Sequence, residues 1–375
     1  MWKVFLRNPS REREGEVDDF TQLDAVVRFC DVGTWSLEMD GRARHAAALA
    51  TPGYGIELVR DDTTTVTTGP MRHRVWSRDG DSLKLKVHGF DDNVWLKRRL
   101  AHPQPATSAP PYNSTEYDVR TGVASTVLRQ YVDVNAGTGA LVPRRVAGLD
   151  LDTDPLLGSD VTGRARWQNL LTLLQELAIA GGNLGFRVAK DTTDLLFQVY
   201  EPTDRTSDVM LSVELGNLYG YEYESEVSTV NYAYVGGGGE GTARTVQELG
   251  DTDDAITWGR IEQWVDRRDT TDADELTQEL TKTLAEGVGR TGLSVNPVDI
   301  EGQTFLQDYD LGDRITYVVD GVASTEVVRE ARILLTPDGP QKTLPGIAPP
   351  GQAEVLALFR RLRMAEARIA DLERR

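Results

Sequence analysis

The sequence predicts an α+β protein, mainly β, that ends in a coiled-coil helix. Three observations carry this reading. Short apolar runs of period two, separated by turn residues, recur over most of the chain; one helix-periodic apolar stretch lies near the middle; and a heptad seam closes the sequence. With 375 residues, 39% of them hydrophobic and 27% charged, the chain is globular in composition and long enough for two or three domains.

The first hundred residues read as short strands at 26–29, 35–39, 55–59, 75–76 and 83–87. In the clearest of them Leu83, Leu85 and Val87 alternate with Lys84, Lys86 and His88, as expected of a sheet buried on one side. The proline-rich stretch 102–111 cannot sustain a regular ladder, so a boundary falls there and residues 1–103 form an N-terminal β-rich domain. Residues 104–217 form an α/β region. Its helix, 164–180, places Trp167, Leu170, Leu171, Leu174, Leu177 and Ala178 on one face and stops at Gly181-Gly182, and a hairpin at 186–200 turns through Asp191 and Asp194.

A second β-rich domain spans 218–345. Tyr219, Tyr221 and Tyr223 share one strand face, and residues 230–235 run into Gly236, Gly237, Gly238 and Gly239. A polar helix at 272–286 and strands at 315–319 and 326–335 complete it. Residues 346–375 are a linker and the final helix. There Val355, Leu358, Leu362, Ala365, Ile369 and Leu372 alternate three and four apart as a and d positions. Arg361 and Arg368 then fall at g, opposite Glu366 and Glu373 at e of a parallel partner, so the helix reads as an oligomerisation element. So short a seam is marginal alone and needs a larger assembly to hold it in register.

The net charge of −18 argues against tight binding to nucleic acid or anionic lipid. The lone Cys30 permits no internal disulfide and no cysteine-based zinc site. No stretch has the length and apolarity of a membrane span or a standard signal peptide, so no membrane anchor is expected.

Motifs that could carry chemistry fail in context. Gly236, Gly238 and Gly241 satisfy G-x-G-x-x-G after a strand, but no helix-periodic run follows, so the expectation is a tightly turned structural loop and no cofactor. Asp150, Asp152 and Asp154 open like a calcium loop that then breaks at Pro155 and Val161. His45, His73, His88 and His102 lack ligand spacing, and neither a nucleophile elbow nor a partnered cysteine is present. No catalytic, cofactor or metal site is assigned.

Several blocks resemble the siphophage minor tail protein family, the tail-tip or baseplate hub-like proteins of actinobacterial phages. Residues 28–37, with Arg28, Phe29, Gly33, Trp35 and Leu37, resemble R-F-N-x-x-G-x-W-x-L, with Cys30 at the usual Asn. Residues 53–56, the block 89–103 with Asp91, Asp92 and Trp95, the Gly-rich block 231–241 with Arg244, and residues 308–315 are similar to further family blocks. The resemblance implies β-barrel-like hub domains around an inserted α/β domain, and three copies in a ring at the end of a tail tube. It implies partners in distal tail and tube proteins, the tape measure protein and downstream tail-tip or fibre proteins, assembled in the host cytoplasm, with DNA only in transit; the net charge of −18 per copy leads to the hypothesis of an acidic channel wall. A tail-associated cell-wall lysin and a carbohydrate-binding module are the rival readings.

Overall fold

The computed structural model describes residues 2–346 apart from 62–63, 113, 226, 289–290, 298–301, 320 and 338–341. The heptad positions Val355 through Leu372 lie outside the described residues.

Alternation of apolar and polar side chains builds the dominant element. Among the described residues, eleven antiparallel strands form one sheet that curls into a half-barrel. In spatial order the first six are Leu218–Ser225, Thr291–Pro297, Lys342–Gly346, Glu330–Leu335, Phe20–Arg28 and Thr34–Asp40. Ser82–Phe90, Thr64–Asp79, Gly55–Arg60, Trp2–Arg7 and Arg13–Glu16 follow. Both strand-rich parts of the chain therefore share one sheet, joined where Ala331 pairs Val27 and Ile333 pairs Ala25. Leu23, Ala25, Leu37, Leu85 and Val87 line its concave side and pack on Leu211, Ile315 and Tyr317 from a small sheet below. As the alternation predicts, Leu85 and Val87 are buried while Lys84 and Lys86 are not.

The α/β region has its own core, built from the helices Ala124–Asn135 and Leu170–Ala180 against the hairpin Gly185–Asp191 and Asp194–Tyr200. The expected helix at 164–180 begins only at Leu170. Residues Asp160–Ala165 are instead a strand paired with Asp118–Val123, and Asn169 caps the helix by accepting the Leu171 amide at 3.1 Å. Trp167 is thus outside the helix, with φ of 65° and its ring partly exposed. The helix Ala124–Asn135 escaped the sequence reading because Thr126, Val127, Tyr131 and Val132 favour strands; burial of Val127, Leu128, Tyr131 and Val132 overrides that preference.

A third, small core packs Val230, Ala233 and Val235 against Leu276 and Leu280. Its three strands run in the order Val246–Gly250, Tyr232–Gly236, Glu262–Asp266, beneath the helix Ala273–Gly287. That helix starts and ends one residue later than the expected 272–286, with Asp272 as N-cap accepting the Asp274 and Glu275 amides. The expected strand 326–335 is two strands, Val322–Val327 and Glu330–Leu335, because Val328 turns the chain from the small sheet into the large one.

Candidate functional site

The blocks singled out in the sequence converge where the large sheet meets the α/β region. Trp35 lies flat on Gly89, where a Cβ would stand 2.1 Å from the indole, and its Nε1 donates to the Phe90 carbonyl at 3.1 Å. Gly33 leaves room for Asp91, whose carboxylate a Cβ would meet at 2.6 Å. Cys30 has φ of 50°, a conformation that suits the asparagine of the resembling motif. Its buried thiol, pushed up to about 12 by burial, faces the Leu184 carbonyl and the Phe186 amide. Asn93 bridges the two bodies, donating to the Asp31 carbonyl at 2.9 Å and accepting the Val188 amide at 2.8 Å.

Ion pairs span this junction, one of them fully buried. Arg7, 3% exposed, makes two bonds to Asp92 at 2.7 and 3.1 Å and one to Thr68 at 2.7 Å. Trp95 Nε1 donates to the same carboxylate at 2.9 Å. Arg187 pairs with Asp310 at 2.7 Å and stacks on Tyr200, so the 308–315 block fastens the hairpin to the sheet. These residues hold two bodies together; none stands in a cleft with the geometry of a nucleophile and its base.

Asp91 differs from its neighbour. Burial pushes its carboxyl up to about 8, and the adjacent Asp92 charge adds to this against the amide bonds from Gly33 and Asn93. The folded chain then keeps a proton that the unfolded chain, with an ordinary value of 3.8, releases. Stability accordingly falls as pH rises between the two values, by up to about 1.4 kcal/mol per pH unit. Asp91→Asn is expected to flatten that slope, measured as urea midpoints across the same range; a slope equal to that of the unaltered chain would contradict the assignment.

The Gly-rich loop is occupied by its own neighbours. The Gly237 amide donates to Thr245 at 2.8 Å and that of Gly238 to Thr270 at 2.7 Å, so neither is presented to a phosphate. Arg244 donates to the carbonyls of Gly236 and Gly237, pairs with Asp266 and stacks on Trp264. A Cβ at Gly236 would strike Trp264 at 2.4 Å, and Gly239 takes φ of 103°. Gly241 opens a single 3₁₀ turn rather than a helix. Close packing accounts for Gly236 to Gly239, whereas Gly241 faces open space and is required by its φ of 54°.

Asp150, Asp152 and Asp154 do not gather. Asp154 accepts from Ser125 and Thr126 at the start of the Ala124–Asn135 helix, and Asp152 from Gln198. Among the described residues no group of three or more His, Cys, Asp or Glu side chains is arranged to hold a metal ion.

The sequence reading missed a cleft of about 660 Å³ between the α/β region and the third core, lined by Arg164, Trp167, Glu176, Glu275, Gln278 and Lys282, among others. Its walls are joined by Arg164–Glu275 at 2.9 Å and Lys282–Glu176 at 2.8 Å. Gln278 accepts the Thr162 amide and donates to its carbonyl, both at 3.2 Å, and so covers part of a strand edge. No local pattern announces this cleft, because its halves lie some hundred residues apart.

The architecture is that of phage tail proteins. The 43 kDa tail protein of prophage MuSo2 from Shewanella oneidensis superposes with a TM-score of 0.61 at 12% identity, over 93% of this chain and 98% of that one. A tail protein from Neisseria meningitidis gives 0.59 at 15% identity over 93% and 97%. Prophage tail protein gp18 from Listeria monocytogenes gives 0.55 at 12% over 96% and 98%. The chain belongs to the Siphovirus ReqiPepy6 Gp37-like protein family, whose model matches residues 3–347. Comparison with curated protein sequences yields no match.

Proposed function

We propose that the chain is a structural, non-enzymatic subunit of a phage tail tip or of a phage-derived injection particle. Three copies form a ring that closes or extends the tail tube and connects to receptor-binding or fibre proteins. The observation that carries this reading is coverage: the fold shared with tail proteins extends over nearly the whole of both chains, so the likeness is not that of a borrowed module. Two features support it further. The residues of the family-like blocks serve packing and buried ion pairs rather than an open reactive site. The heptad seam from Val355 to Leu372 would hold three copies in parallel, with Arg361 and Arg368 facing Glu366 and Glu373.

In this assembly the tube, tape measure and fibre proteins are neighbours along the axis, and DNA passes through without being held. Light scattering on the full chain is expected to give three times the 41.4 kDa subunit mass, and a chain ending at Gly346 is expected to dissociate on dilution. A full chain that stays monomeric at all concentrations overturns the ring. Release of soluble fragments from bacterial cell walls by the pure protein would favour the rival lysin instead.

A further inference from the structure

We infer that the cleft between the α/β region and the third core binds a short neutral saccharide, with Trp167 as its flat apolar wall and Glu275 as the acceptor at its base. The inference starts from an unmet hydrogen-bonding group. Glu275 is the third residue of the Ala273–Gly287 helix, the position from which a glutamate ordinarily reaches back to the N-cap amide. Here Thr270 Oγ1 takes the Asp272 amide at 3.1 Å, so Glu275 is released from that task. One of its oxygens receives Arg164 Nε at 2.9 Å; Oε2 is buried with no partner, on a residue only 8% exposed. A buried acceptor left unmet is costly, and a donor arriving in the cleft relieves it.

The chemistry of that donor follows from the surrounding charges. Arg164, Arg166, Arg267 and Lys282 are each already paired, with Glu275, Glu116, Glu279 and Glu176 at 2.9, 2.8, 2.5 and 2.8 Å. An anion would find no uncommitted cation, and a polyamine would have to break existing pairs. Hydroxyl groups fit, because each can donate to Glu275 Oε2 while accepting from the remaining N–H groups of Arg164 or Lys282.

The second wall is Trp167. A bulky residue at φ of 65° is held against its own preference, and such conformations cluster at ligand clamps. Trp167 is 38% exposed, and the rings of His102 and Tyr112 support its indole at centroid distances of 4.5 and 6.4 Å. It therefore offers an aromatic surface beside a polar floor, the combination expected of a specific small-ligand site, and about 660 Å³ is in the range of such sites.

Maltotriose, cellotriose and triacetylchitotriose, titrated into the full chain with tryptophan fluorescence and calorimetry as readouts, test the assignment. At least one is expected to give saturable binding. Trp167→Gly should weaken it by about tenfold or more without lowering the thermal midpoint, since glycine suits that backbone. Glu275→Gln should weaken it too, whereas Trp258→Ala, at a remote exposed indole, should leave it intact. Absence of saturable binding by all three sugars overturns the inference. So does undiminished binding by Trp167→Gly, or displacement of the sugar by inorganic phosphate or spermidine. None of these outcomes bears on subunit number, which light scattering reads separately.

Discussion

Arg7→Ala is expected to destabilise the protein by about 3–5 kcal/mol, because it strands the Asp92 carboxylate in the interior. Arg7 and Asp92 have side chains only 4% and 0% exposed, and their two-point contact connects the first strand of the sheet to the turn at which the α/β region departs. Removal of Arg7 leaves a buried carboxylate that keeps only the Trp95 hydrogen bond and the more distant charge of Arg11, beside Asp91. The double change Arg7→Met with Asp92→Leu is expected to recover most of the loss, since desolvation of a buried pair consumes much of what its attraction returns. Urea midpoints of the single and double variants check this; a double variant as unstable as the single would show that the pair's geometry matters beyond charge neutralisation.

A comparable loss, with a different dependence on acidity, is expected at Glu57. Burial pushes its carboxyl up, but bonds from Arg13 and Lys190 overcome this and hold it at about 2, against an ordinary value of 4.5. Lys190 Nζ lies 2.5 Å from one oxygen and Arg13 2.8 Å from the other, and Thr65 donates at 3.0 Å. Because the folded value is depressed, the stabilisation is fully present above 4.5 and is lost as pH falls towards 2. Glu57→Gln should therefore cost about 3 kcal/mol near neutrality and little in strong acid, where the unaltered chain has lost the same contribution. Equal destabilisation at both extremes would mean that packing, not charge, is the contribution of Glu57.

Much of the large sheet was legible because its strands obey local rules. Alternation at Leu83, Leu85 and Val87 and the runs around Trp35 and Ile56 each encode which side meets the core. The helix Ala273–Gly287 was legible as a polar helix, to within a residue at each end. What could not be read is non-local. Arg164 and Ala165 look helical until their pairing with Val119 and Asp118 is known, and the Ala124–Asn135 helix hides behind β-branched residues. The absence of a helix after Gly241 was legible, since it is a local fact: a single 3₁₀ turn follows there. The cleft was not: Glu275 gains its meaning only from Arg164 across the gap and from Thr270 displacing it at the cap.

The pairing of Glu330–Leu335 with Phe20–Arg28 has a consequence for biogenesis. Arg28 meets Glu330 and Asp24 meets Arg332, partners some 300 residues apart in the chain. Roughly 300 further residues must therefore be made before the strand Phe20–Arg28 acquires this neighbour, and so long-range a pairing is slow to form. Until then the nascent product carries a bare strand edge, open to adhesion with other unfinished copies. Products that stop short of Glu330 lack the strand that would cover it.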